Sequence, residues 1–232
     1  MTRKVFLGGS RNGIVGTDFP PDVETTLEAI VSNEDEVLVG DAAGADTMFQ
    51  KFFAERGYPH VTVFYSGDEP RHLLDDGWRV EGIDTDSGLT GRDLMELKDA
   101  EMASHADVGL MMWDELYKTR FGKTAVSQGT LKNILNLLVQ LKPVLVFHVP
   151  TGQLMRFNSV AEFESFIDDL GKKHSQQGLS DNQAKVNTAL KKGLKTARER
   201  FAPPQDTRAE GTCETQDGEG DLQLELDLGT GR

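Results

Sequence analysis

Apolar and polar positions alternate along this chain in two rhythms that succeed one another. Lys4 to Gly13, KVFLGGSRNG, opens with a short apolar run ended by glycines, too short for a helix and fit for a buried strand. Asp22 to Val31 places Val23, Leu27 and Ile30 on one helical face, with Asp22 as cap. Val37 to Gly40 is a second buried strand, and from Asp46 the spacing of Met48, Phe49, Phe52 and Phe53 becomes helical. Val61 to Tyr65 reads as a third strand, Asp93 to Ala106 as a helix, and Asp107 to Trp113 as a further strand. Gly129-Thr130 opens a helix with Leu131, Ile134, Leu137 and Leu138 on its apolar face. Val144 to Val149 is the last core strand, and Leu154 to Phe157 returns as an antiparallel edge strand. Val160 to Leu170 is an amphipathic helix ended by Gly171. Strands that alternate with helices predict an α/β fold: a Rossmann-like open, mostly parallel sheet flanked by helices.

Two stretches break the rhythm. Ser66 to Thr90 has no clean period, and long connections of this kind tend to be functional. It reads either as a lid or pocket wall offering Arg71 and Trp78, or as a surface loop anchored by a buried Trp78. Glu115 to Val126 carries Lys118, Arg120 and Lys123, which would reach toward a phosphate or be solvated.

Three strands end in Gly/Ser/Asp clusters ahead of a helix, along the edge where open α/β sheets bind ligands. The first cluster is Gly8, Gly9, Ser10 and Arg11. The second is Gly40, Asp41, Gly44 and Asp46, and the third is Asp114 with Gly129, Thr130 and Asn133. Glycine lets a ligand approach the backbone, and a helix N-terminus offers free N–H groups to phosphate. The same turn also suits a tightly packed αβ connection.

The GGSR segment, the VGDAAGAD turn and ADVGLMMWD…SQGTLKNI…KPVLVF together resemble the SLOG superfamily over Lys4 to about His148. This Rossmann-like group includes the lonely-guy nucleotide phosphoribohydrolases and DNA-processing protein A, and bacterial and phage members are the nearest in pattern. The resemblance implies a nucleotide or nucleotide-derived ligand, and a homodimer. In the phosphoribohydrolases a glutamate serving N-glycosidic cleavage follows Gly-Thr by three residues; here that position is Asn133, and Val126 and Ser127 replace the paired glycines before it. Asparagine donates and accepts hydrogen bonds but supplies no anion for oxocarbenium-like charge. If chemistry occurs, Asp41, Asp46 and Asp114 are the carboxylates to carry it, against plainer roles: Asp46 as helix N-cap, Asp41 as a ribose hydroxyl acceptor, Asp114 as a turn former. The relatives' link after Trp-Asp is also shorter than Glu115–Val126.

Composition narrows the function classes. The formal charge of −13 disfavours broad nucleic-acid binding through counterion release. A single cysteine, Cys213, excludes an internal disulfide and cysteine-rich metal sites, so neither a metal nor a cofactor is expected. No run of about 18 apolar residues occurs, which points to a soluble, cytoplasmic protein with no membrane partner. Asp181 to Phe201 is helix-compatible, with six basic residues against two acidic ones. It reads as a solvated face over Val186, Leu190 and Leu194, or as a contact for nucleic acid or for the acidic tail. The expected organisation is thus a ligand-binding domain over 1–171, a basic helical segment over 172–201, and an acidic, disordered tail over 202–232. Within that tail Gln223, Leu224, Leu226 and Leu228 match the Gln-Leu-x-Leu-x-Leu form of the bacterial sliding-clamp-binding motif. The expectation is a binding module that senses or sequesters a nucleotide, with an N-glycosidase or ribosyl-transfer enzyme, and more distantly a clamp-recruited DNA-processing protein, as alternatives.

Overall fold

A computed structural model describes residues 2–10, 18–83, 88–89, 91–176 and 178–202. Arg11 and the tail residues Gln223, Leu224, Leu226 and Leu228 lie outside the described residues.

The first three strands, β1 (Lys4–Gly9), β2 (Glu36–Gly40) and β3 (Val61–Ser66), are linked by α1 (Pro21–Ser32) and α2 (Ala45–Glu55). β4 (Arg79–Ile83) follows, then α3 (Gly91–His105) and β5 (Val108–Trp113). A hairpin of β6 (Leu116–Lys118) and β7 (Thr124–Val126) leads into α4 (Gln128–Leu138) and β8 (Val144–His148). The chain continues through β9 (Gln153–Phe157), α5 (Val160–Gln176) and α6 (Ser180–Arg200).

The main sheet has the order β4-β3-β2-β1-β5-β8-β9, and all neighbours are parallel except β9, which returns antiparallel on β8. Strand direction of progress reverses between β1 and β5, so a crevice opens there beyond the strand ends. Central strands are buried on both faces, as their unbroken apolar runs require. Alternation then sorts side chains between two cores: Val5 and Leu7 face α1 and α2, whereas Phe6 packs with Met102 of α3, Ile134 of α4 and Phe163 of α5.

Several departures from the sequence reading appear. Arg79–Ile83 pairs parallel with β3 as an edge strand, although its exposed, polar pattern carries no period. α5 runs through Gly171 to Gln176; this glycine accommodates Gln183 of α6, whose side-chain carbon lies 2.9 Å from where a Cβ would stand. Glu115–Val126 is an ordered hairpin. α6 packs Val186, Leu190, Leu194 and Ala197 into the same core as α4, and belongs to the unit that extends to Phe201. Trp78 is buried, its indole N–H donating to Tyr58 O at 2.8 Å, so it anchors its loop and offers no stacking face. The helix caps also shift: Pro20 precedes α1 and Gly44, at φ 99°, precedes α2, leaving Asp22 and Asp46 in the first turns.

Candidate functional site

A cleft of about 1070 Å³ lies over the β1/β5 switch point. Its floor is the end of β1 and the first turns of α2 and α4, and its walls are α3, the β6–β7 hairpin and α6. Of the residues singled out in the sequence, Gly8, Gly9, Ser10, Gly40, Asp46, Gly129, Thr130 and Asn133 line it. Asp41, Gly44 and Asp114 do not.

Ser10 stitches the floor together. Its Oγ lies 2.7 Å from Ser127 Oγ and 3.4 Å from Thr130 Oγ1, and accepts from the Asp114 N–H at 3.1 Å. The end of β1 is thereby held against the start of α4, whose first N–H groups have no carbonyl within the helix. Asp114 takes part through its backbone.

Behind the β2 end sits a charged cluster. Asp41 is fully buried and accepts from Arg71 Nε at 2.8 Å and Nη2 at 2.6 Å, as well as from the Arg71 N–H at 3.2 Å. Burial raises its pKa, but the Arg71 hydrogen bonds and the Lys98 charge outweigh that and hold it below the usual value. Lys98, itself buried, lies 3.2 Å from Asp99 and 3.9 Å from Asp41. Burial favours neutral Lys98, yet Asp99, Asp46 and Asp41 keep it charged. Asp46 also faces this lysine. Its carboxyl is enclosed, and desolvation, only partly offset by Lys98, pushes its pKa up to about 6. A Cβ on Gly40 would collide with Asp46 Oδ2 and Lys98 Nζ, so glycine leaves room for both side-chain ends over the strand end.

A second charged group stands at the outer rim. Glu96 receives Lys132 at 2.5 Å and Arg92 at 3.0 Å, and Arg92 donates to Gln128 Oε1 at 2.7 Å. Burial opposes ionisation of Glu96, but these cations keep its pKa low. Among the described residues, the cleft wall carries six cations against three carboxylates, a local excess opposite in sign to the chain as a whole. Such a field concentrates anions. Asn133 is buried on the floor, and its Oδ1 has no hydrogen-bond partner among the described residues. An orphaned buried acceptor costs about 1–3 kcal/mol unless something supplies a donor.

Lys98 carries no motif in the sequence, and a lysine on a helix is ordinarily solvated. Leu94, Lys98 and Met102 nevertheless recur every four residues on the buried face of α3, and that spacing was the available signal. Nothing local marks Arg92, Glu96 or Lys132. Arg71 was foreseen as a charge at a pocket wall, and it lines the cleft while also holding Asp41. Lys118, Arg120 and Lys123 do not line it; Lys118 donates to Thr124, and the Arg120 guanidinium stacks on exposed Phe121. The hairpin's root is fixed by Glu115, buried at 2.7 Å from His148 Nε2 and 3.6 Å from His174 Nε2. Among the described residues no group of three acidic, histidine or cysteine side chains is placed to hold a metal, and no helix is long and apolar enough to cross a membrane.

No protein-family model matches the chain, and neither does any curated protein. The chain is similar in structure to DNA processing protein A from Helicobacter pylori, solved for its single-stranded DNA binding mode. That likeness has 14% identity and a TM-score of 0.39, covering 82% of this chain and 81% of the other. A likeness of that degree assigns no function.

Proposed function

We propose that this chain is a SLOG-type module that binds a nucleotide or nucleotide-derived ligand, as a sensor or a sequestering protein. The observation that carries this reading is the excess of positive charge among the described residues around the β1/β5 crevice of an acidic chain. Phosphate would sit near the α4 N-terminus, within reach of Arg92 and Lys132, and the orphaned Asn133 amide would meet a donor on the sugar or base. The test is calorimetric titration of the full chain with the common ribo- and deoxyribonucleoside 5′-monophosphates. Binding that Arg92→Ala with Lys132→Ala weakens by about tenfold supports the reading. Absence of any binding overturns it.

One observation favours a catalytic version. Asp46, with its pKa near 6, is poised to exchange a proton at neutral pH. In N-glycosidic hydrolysis, water would attack the anomeric carbon and give a proton to the Asp46 carboxylate. The C–N bond would break, its electron pair leaving with the base. Free base found by chromatography after incubation with these monophosphates, and lost in Asp46→Asn, establishes this version. We propose separately that the tail engages a bacterial sliding clamp through Gln223, Leu224, Leu226 and Leu228.

A further inference from the structure

The wall contributed by α6 makes the cleft larger, and more cationic, than one phosphate needs. Ala184, Thr188, Ala189 and Gly193 present a low surface toward it, with Lys185 and Lys192 at either end. Seven residues apart, these lysines project from one face of the helix, with α-carbons about 10 Å apart. Both are exposed, and among the described residues neither lysine's side chain enters an ion pair or hydrogen bond. The other four cations described on the wall are all committed: Arg71 to Asp41, Lys98 to Asp99, and Arg92 and Lys132 to Glu96. Across the cleft, Asn133 supplies the unpartnered buried acceptor. The volume, about 1070 Å³, lies just above the range of about 300–1,000 Å³ typical of sites for one drug-sized ligand.

Resting on the nucleotide-binding reading, we infer that the natural ligand is of the dinucleotide class, with two separate phosphate groups. One end lies at the α4 N-terminus, and the second phosphate is held between Lys185 and Lys192. A flat base would lie against the small side chains between the lysines, where a bulkier residue would exclude it. α6 also forms a wall, which favours a short ligand over a passing strand.

The experiment titrates the full chain with nucleoside 5′-monophosphates, the matching 5′-phosphorylated dinucleotides, and a longer single strand of the same base. It is repeated with Lys185→Ala/Lys192→Ala. Both lysines are exposed, so the variant should fold, and its unchanged melting curve verifies this. The expected result is a dinucleotide affinity about tenfold or more above that of the monophosphate. The double variant should remove that advantage and leave monophosphate binding within about twofold. Equal affinity for monophosphate and dinucleotide, or equal weakening of both by the variant, overturns this inference and leaves the nucleotide reading standing. A longer strand that binds about tenfold more tightly than the dinucleotide overturns it in favour of a polymer. Absence of all nucleotide binding overturns both.

Discussion

Arg71 and Asp41, thirty residues apart, meet in a two-pronged ion pair with contacts of 2.8 and 2.6 Å, the carboxylate wholly buried and the guanidinium partly open to the cleft. The pair joins the unpatterned loop after β3 to the β2 end, and Lys98 closes the cluster from α3. Asp41 is therefore a brace, and its inferred role as a ribose acceptor gives way to this structural one. Removing Arg71 leaves a buried anion with Lys98 alone, so Arg71→Ala should cost about 3 kcal/mol in urea denaturation. Lys98→Met, which leaves Asp99 without its ion-pair partner and Asp41 with Arg71 alone, should cost about 3–5 kcal/mol. Both are to be compared with exposed Lys185→Ala, expected to be nearly neutral.

The two aspartates of this cluster give opposite pH signatures. Asp41 has a folded pKa below its ordinary 3.8, so its contribution is present above about pH 4 and is lost as pH falls through the folded value. Asp46 has a folded pKa raised to about 6, so the native state binds its proton more tightly than the unfolded chain does. Its contribution favours folding below about pH 4 and is lost as pH rises through 6. Asp46→Asn, which keeps an acceptor for the Ala42 N–H, should therefore raise stability at pH 7.5 by about 1–3 kcal/mol. The gain should vanish near pH 4. A melting temperature difference that is the same at both pH values would show that Asp46 ionisation is not what the substitution relieves.

Asn133 sets binding against stability. With Oδ1 unpartnered, Asn133→Leu should leave the free protein as stable or more stable by up to about 2 kcal/mol, since an unsatisfied acceptor is removed. Ligand affinity should fall at least tenfold, by about 1.4 kcal/mol. A stability loss above that scale, with binding intact, would mean that the amide is part of the packing alone. Asn133→Glu restores the carboxylate of the phosphoribohydrolase pattern, and base release by that variant is the expected sign of a shared ancestry of the site.

For the tail, fluorescence anisotropy with a labelled peptide spanning Gly218 to Arg232 against a purified bacterial clamp should show saturable binding. Gln223→Ala with Leu226→Ala should abolish it. Binding that ignores those substitutions would leave only a charged, apolar tail with no motif.

The hydrophobic pattern alone dictates the succession of elements and, through it, the sheet edge where the cleft lies. Runs such as Val37–Gly40, and the helical spacing of Phe49, Phe52 and Phe53, are local patterns that any packing into a parallel sheet must respect. Glycines at the ends of β1 and β2 mark the sheet edge at which the cleft opens. The tertiary structure alone decided which charges meet there. Asp41 is held by Arg71, Lys98 turns inward between Asp41 and Asp99, and Glu96 binds Lys132. Lys185 and Lys192 of α6 join the wall. The physical reason is separation along the chain: these partners approach only after crossovers have set α3, α4 and α6 side by side. Periodicity within one helix tells which face is buried, and says nothing of the charge that waits on the neighbouring element.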